Sequence, residues 1–123
     1  MKKKALIVED ESSVATLFRD ILTQHHFEVE LVSNGVQGYQ CLKNNDYDLI
    51  ISDIKMPLMN GKMLYQKIKE EKLIKPEKVI LTSGDVLGQE TMEFIFDEKI
   101  KFLVKPFRIE ELLNLIKEIL KKR

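Results

Sequence analysis

The chain has one cysteine, no tryptophan, three prolines and five glycines in 123 residues. A lone thiol, Cys41, cannot close an internal disulfide, which excludes a disulfide-stapled scaffold and suits a reducing compartment. The sequence also has no low-complexity tract, no linker and no internal repeat. Excess charge of either sign is also missing. Lys plus Arg number 20 and Asp plus Glu number 20, so nothing calls for a nucleic-acid or membrane partner. No apolar run approaches the roughly 20 residues of a spanning helix. The basic start, Met1-Lys2-Lys3-Lys4, is followed by only four apolar residues before the acids begin, too few for a secretory signal. A cytoplasmic chain is expected.

What is present is a large apolar fraction, 44%, enough for one domain spanning residues 1–123. Four short apolar runs end in polar residues suited to phosphoryl chemistry. Ala5-Leu6-Ile7-Val8 leads into Glu9-Asp10-Glu11, and Leu49-Ile50-Ile51-Ser52 leads into Asp53. Val79-Ile80-Leu81-Thr82 leads into Ser83-Gly84, and Phe102-Leu103-Val104 into Lys105-Pro106. Runs of this length suit strands buried on both faces of a parallel sheet. Phe27 to Val32 reads as a further strand. Helical spacing fills the gaps. Val14, Leu17, Phe18, Ile21 and Leu22 follow a cap at Ser12 or Ser13, and Val36, Tyr39, Gln40 and Leu42 fit a short second helix. Asn60-Gly61 opens a third, with Met63, Leu64 and Ile68 inward. Leu87 to Phe96 and Ile109 to Leu120 give two more, the last running into the basic tail Lys121-Lys122-Arg123. Alternating strands and helices predict a parallel sheet covered on both faces.

In such sheets the site lies beyond the carboxyl ends of the strands, so Glu9, Asp10, Asp53, Ser83 and Lys105 are expected at one edge. Two carboxylates 4 Å apart repel by on the order of 4 kcal/mol at an effective dielectric near 20. A proton or a cation must relieve that. Mg²⁺, a hard ion that takes oxygen ligands and keeps waters, is the natural cation. Asp10 and Asp53 are the expected direct ligands, with Glu9 acting through water. Aspartate can also form an acyl-phosphate. Lys105 would add positive charge, and a serine hydroxyl would bond a phosphoryl oxygen. Each feature alone reads as a solvated turn, a surface lysine or a helix cap; their joint placement at four strand ends carries the argument.

With Leu6 to Glu11, Asp48 to Pro57 followed by Gly61, Ser83-Gly84, and Phe102 to Phe107 in these places, the whole chain resembles the receiver domain of bacterial two-component response regulators, the CheY-like family. The resemblance implies a doubly wound (βα)5 flavodoxin-like fold with strand order 2-1-3-4-5. It implies that Asp53 accepts a phosphoryl group from a histidine kinase or phosphotransfer protein. By the same likeness Glu9, Asp10, Asp53 and the backbone carbonyl of Lys55 hold Mg²⁺, Lys105 pairs with the phosphoryl group, and the Lys105-Pro106 bond is cis. A downstream effector protein or domain, or a second copy, would read the switch.

Thr82 and Ser83 compete for the hydroxyl role, because strand neighbours point to opposite faces. Ser83, followed by the small Gly84, fits the family pattern better. Three departures stand out. Phe102 occupies the switch-aromatic place without a hydroxyl, so any switch rests on packing. Lys55 and Asp85, each two residues beyond a site residue, are expected to pair at the mouth and modulate phosphoryl lifetime. Glu98-Lys99-Ile100 replaces the usual Gly-Ala turn. His25 and His26 read as exposed helix-end residues, Cys41 as a small buried hydrophobe, and Met56, Met59 and Met63 as gap fillers. Two other classes share parts of this pattern. A haloacid-dehalogenase-like phosphatase needs an acid where Lys55 stands. A flavodoxin-like FMN binder needs a phosphate loop where Glu9-Asp10-Glu11 stands. Met1, close to the first strand, is expected to be a natural N-terminus; a stand-alone regulator and a receiver taken from a larger protein both remain open.

Overall fold

A computed structural model describes residues 2–121; Met1 and, in the basic tail, Lys122 and Arg123 lie outside the described residues. Strands and helices alternate: β1 (Lys3–Val8), α1 (Ser12–Gln24), β2 (Phe27–Val32), α2 (Gly35–Asn44), β3 (Leu49–Asp53), α3 (Gly61–Glu71), β4 (Val79–Ser83), α4 (Gln89–Asp97), β5 (Lys101–Val104) and α5 (Ile109–Lys121), with a short 3-10 turn at Pro76–Lys78. The five strands form one parallel sheet in the order β2-β1-β3-β4-β5, the doubly wound arrangement that the resemblance implied. The apolar runs form strands because helices on both faces bury both sets of alternating side chains.

That alternation sorts the core into two halves. Ala5, Ile7, Leu49, Ile51, Ile80 and Leu103 pack with Phe18 of α1 and Leu112 of α5 on one face. Leu6, Val8, Ile50, Val79 and Leu81 pack with Leu64 and Ile68 of α3 and Ile95 of α4 on the other. Each fully buried Leu or Ile contributes about 1.5–3 kcal/mol relative to exposure, so the central strands anchor the molecule. Among the described residues, no helix is long and apolar enough to cross a membrane.

Local details depart from expectation where helix ends and phases are set by neighbours. Ser12 and Ser13 lie inside the first turn of α1; Glu11 takes the cap position and makes no side-chain cap bond. Asn34 and Asn60 do cap α2 and α3, accepting from the amides of Gln37 and Met63 at 2.9 Å each. Met63 is exposed rather than inward. The buried stripe of α3 runs Gly61, Leu64, Tyr65, Ile68, a helical face that begins at Gly61 and leaves Met63 off it. The fourth helix starts at Gln89, two residues later than expected. It ends in a Schellman turn: Lys99 N–H bonds Phe96 O at 3.1 Å and Ile100 N–H bonds Ile95 O at 3.0 Å. Lys99 therefore sits at φ 55°, a left-handed position that glycine usually fills. His25 and His26 are exposed at the end of α1, with His25 Nδ1 bonded to Ile21 O at 3.0 Å. Cys41 is half-buried, its Sγ 3.7 Å from Glu30 Oε2.

Candidate functional site

At the carboxyl edge the parallel strands deliver their terminal residues to one place. β1 runs into Glu9 and Asp10, β3 ends on Asp53, and β5 runs into Lys105. Glu9, Asp10 and Asp53 each offer a carboxylate oxygen within 4.8 Å of the others. Among the described residues this is the one group of three or more candidate metal ligands. Lys105 Nζ lies 2.9 Å from Glu9 Oε1 and 3.6 Å from Asp53 Oδ2. A cleft of about 630 Å³ opens over the cluster, lined by Asp10, Asp53, Lys55, Asp85, Lys105 and Phe107 among others. Phe107 stacks on Phe18 with ring centroids 5.2 Å apart, which fixes one wall to α1.

Backbone donors set the acids. Asp53 Oδ1 accepts from the Ile54 amide at 2.9 Å, and Glu9 Oε2 from the Glu11 amide at 3.2 Å. Gly61 lets α3 start hard against the acceptor strand: a Cβ there would lie 2.5 Å from Asp53 O. The Lys105-Pro106 bond is cis, as the resemblance implied, and the Lys105 amide bonds Ser83 O at 2.9 Å. Burial pushes the Asp53 carboxyl above its ordinary range and Asp10 adds to this, while Lys105 and the Ile54 amide hold it back. Glu9 is likewise raised, chiefly by burial and then by Asp53, against the Lys105 bond. For Lys105 burial disfavours the ammonium, yet Glu9 and Asp53 outweigh it, so its pKa rises and the charge is kept. An oxygen-only donor set with unrelieved negative charge fits a hard divalent cation. Both Glu9 oxygens are held at close range, by the Lys105 ammonium at 2.9 Å and the Glu11 amide, whereas Asp53 Oδ2 has only the longer 3.6 Å contact with Lys105.

The structure brings Glu9, Asp10, Asp53 and Lys105 together, with Lys55 and Asp85 paired at 3.5 Å across the mouth. Both of those side chains are largely exposed, so the pair is worth at most about 1 kcal/mol. Ser83 stands apart. By alternation it lies on the α4 face with Phe102, which is half-buried against that core. The Ser83 hydroxyl accepts from the Asp85 amide at 3.1 Å. Thr82, in register with Asp53, shares the α1/α5 face with Ile80 and Leu103. Sequence reasoning missed the Ile54 amide, which no side chain advertises. The packing role of Gly61 was visible only as a glycine at a fixed distance from Asp53.

Fold and cleft together define a doubly wound α/β domain whose strand-end acids are bridged by a strand-end lysine. The family profile described as "Response regulator receiver domain" matches residues 5–117, and the chain belongs to that family, the receiver domains of two-component signalling. It is 32% identical over 119 residues to "Response regulator ArlR" of Staphylococcus haemolyticus, an alignment covering 96% of this chain and 52% of that protein. The chain thus spans about half the length of the curated relatives it matches first. A CheY-like response regulator receiver domain protein from Methanospirillum hungatei superposes with a TM-score of 0.87 at 28% identity, over 98% of this chain and 95% of that one. The receiver domain of a sensor histidine kinase from Pseudomonas aeruginosa, solved with magnesium coordinated in its active-site cleft, superposes at 0.86. At 23% identity, over 99% of this chain and 100% of that one, this likeness speaks for the fold. The family match displaces the phosphatase and FMN-binding readings.

Proposed function

We propose that residues 1–123 form one receiver unit in which Asp53 accepts a phosphoryl group from the phospho-histidine of a histidine kinase or phosphotransfer protein. The observation that carries this is the Asp53 carboxylate, buried in a three-acid cluster and 3.6 Å from the Lys105 ammonium. Asp10, Asp53 and the Lys55 carbonyl would hold Mg²⁺, with Glu9 joining through water. When bound, the ion would offset the charge of the acids and of the incoming phosphoryl oxygens. Asp53 Oδ1 is tied to the Ile54 amide, so Oδ2, which faces Lys105, is the oxygen presented to phosphorus. Lys105 then shifts its ion pair from the carboxylates to the phosphoryl group. Ser83 leaves its turn with Asp85 to donate to a phosphoryl oxygen, and Phe102, on the same face, repacks behind it. The chain catalyses only its own phosphorylation and dephosphorylation. Its partners are a kinase or phosphotransfer protein and an effector protein or domain, with a second copy as a further binding mode on phosphorylation. A cytoplasmic setting fits these partners.

The test is labelling with acetyl phosphate and Mg²⁺, read by intact mass and peptide mapping. One phosphoryl group on Asp53, lost in Asp53→Asn and on chelation, is expected. Undiminished labelling of Asp53→Asn would overturn the assignment.

A further inference from the structure

Thr82 has a side chain that the proposed function leaves unused. It is fully buried, and its Oγ1 is the one buried side-chain polar atom among the described residues with no hydrogen-bond partner. A buried hydroxyl without a partner is costly, and native structures rarely leave one. Its place is specific. Parallel strands lie about 4.8 Å apart and register partners share a face; Thr82 is the register partner of Asp53. The Lys105–Glu9 ion pair joins residues just beyond β5 and β1. It therefore spans the two strands between them, β4 and β3, whose ends on this face carry Thr82 and Asp53. Thr82 is the neutral polar residue between Asp53 on β3 and Leu103 on β5, its two register partners.

We propose that Thr82 is a further catalytic residue at the acceptor: its hydroxyl donates to Asp53 Oδ2 once Lys105 has turned to the phosphoryl group. This rests on the reading of Asp53 as phosphoacceptor. Ser83 acts on the phosphoryl oxygens from the opposite face of the strand; Thr82 acts on the carboxylate. In hydrolysis a water oxygen bonds to phosphorus. The P–Oδ2 bond breaks with its electron pair going to Oδ2, and a water proton passes to solvent as inorganic phosphate leaves. Negative charge thus grows on Oδ2, and a fixed donor beside it lowers that barrier. The free carboxylate, with more charge on Oδ2 than the acyl-phosphate, is favoured in the same way.

The experiment compares parent, Thr82→Val, Thr82→Ser and Thr82→Ala after acetyl phosphate labelling, following loss of the phosphoryl group at saturating Mg²⁺. Valine keeps the shape without the hydroxyl, serine keeps the hydroxyl without the methyl, and alanine keeps neither. Loss is expected to be about tenfold slower in Thr82→Val and Thr82→Ala, from one missing charge-assisted bond, with Thr82→Ser within about twofold of parent. Equal rates in all four proteins would overturn the proposal. So would equal slowing in the serine and valine variants, which would assign the effect to packing. If Thr82→Val fails to fold, the alanine and serine variants decide by the same comparison. A parent that takes no label on Asp53 would overturn the acceptor reading itself.

Discussion

Replacing Asp53 by asparagine should make the metal-free protein more stable. Glu9 and Asp10 each bring a carboxylate oxygen within 4.8 Å of Asp53. At an effective dielectric near 20 a pair at that distance repels by about 3.5 kcal/mol. Glu9 is buried and counts in full; Asp10 is exposed, so water cuts its share to roughly half. Against this stands Lys105 at 3.6 Å, worth about 4.6 kcal/mol on the same scale. Repulsion exceeds attraction by under 1 kcal/mol, and the burial of a charged group adds a penalty of the same sign. Asparagine keeps an oxygen for the Ile54 amide. The expected gain is about 1–2 kcal/mol, or roughly 4–8 °C in Tm for a domain this size. The assay is thermal and urea unfolding of both proteins in chelator. The pH dependence has a fixed sign. Because the folded pKa of Asp53 is raised, the native state holds its proton more tightly than the unfolded chain. Stability from this group is therefore lost as pH rises from the ordinary Asp value toward the raised one. The gap between variant and parent should shrink as pH falls toward about 4. Adding Mg²⁺ should stabilise the parent more than the variant. An Asp53→Asn protein that melts at or below the parent in chelator would refute this balance of charges.

Lys105→Met leaves Glu9 buried without its cation and should cost about 3 kcal/mol in urea unfolding; no loss would show that the ion pair is not holding Glu9. Gly35→Ala drives a Cβ to within 2.0 Å of Met59 O, so unfolding measurements should show a loss of about 2 kcal/mol or more, with amide shifts centred on Leu58 to Asn60. Lys99→Gly relieves the left-handed strain at the end of α4 and should add about 1 kcal/mol, read by the same melts. For Lys55→Ala, Asp85→Ala and the double variant, dephosphorylation rates should differ from parent by more than about twofold, or roughly 0.4 kcal/mol of barrier. Smaller changes would reduce the mouth pair to a surface contact.

The strands were legible because burial on both faces demands unbroken apolar runs, and the acids and lysine because they follow those runs directly. Helix phase was harder. Met63 and Tyr65 flank Leu64 and are both apolar enough to face inward; the buried stripe that starts at Gly61 takes Tyr65 and leaves Met63 exposed. The preference of Lys105 for Glu9 at 2.9 Å over Asp53 at 3.6 Å depends on the path of the loop after β5, which residue types do not encode. Gly84 favours Ser83 over Thr82 in the sequence, but which face each hydroxyl takes is set by strand phase. Ile80 and Leu81 read alike in sequence, and their separation onto two cores is what places Thr82 beside Asp53 and Ser83 beside Phe102.

Lys105 and Glu9 are 96 positions apart in the chain. Synthesis delivers Glu9, Asp10 and Asp53 first and their cation last. A chain grown only through β4 would carry three crowded acids with no ammonium among them, a repulsive edge that disfavours closure of the site. Docking of β5 supplies the missing charge and closes the longest loop of the cleft in one step, so the pocket is completed at the end of assembly and not by its early parts alone. Competence to receive a phosphoryl group then doubles as a report that the final strand is in place.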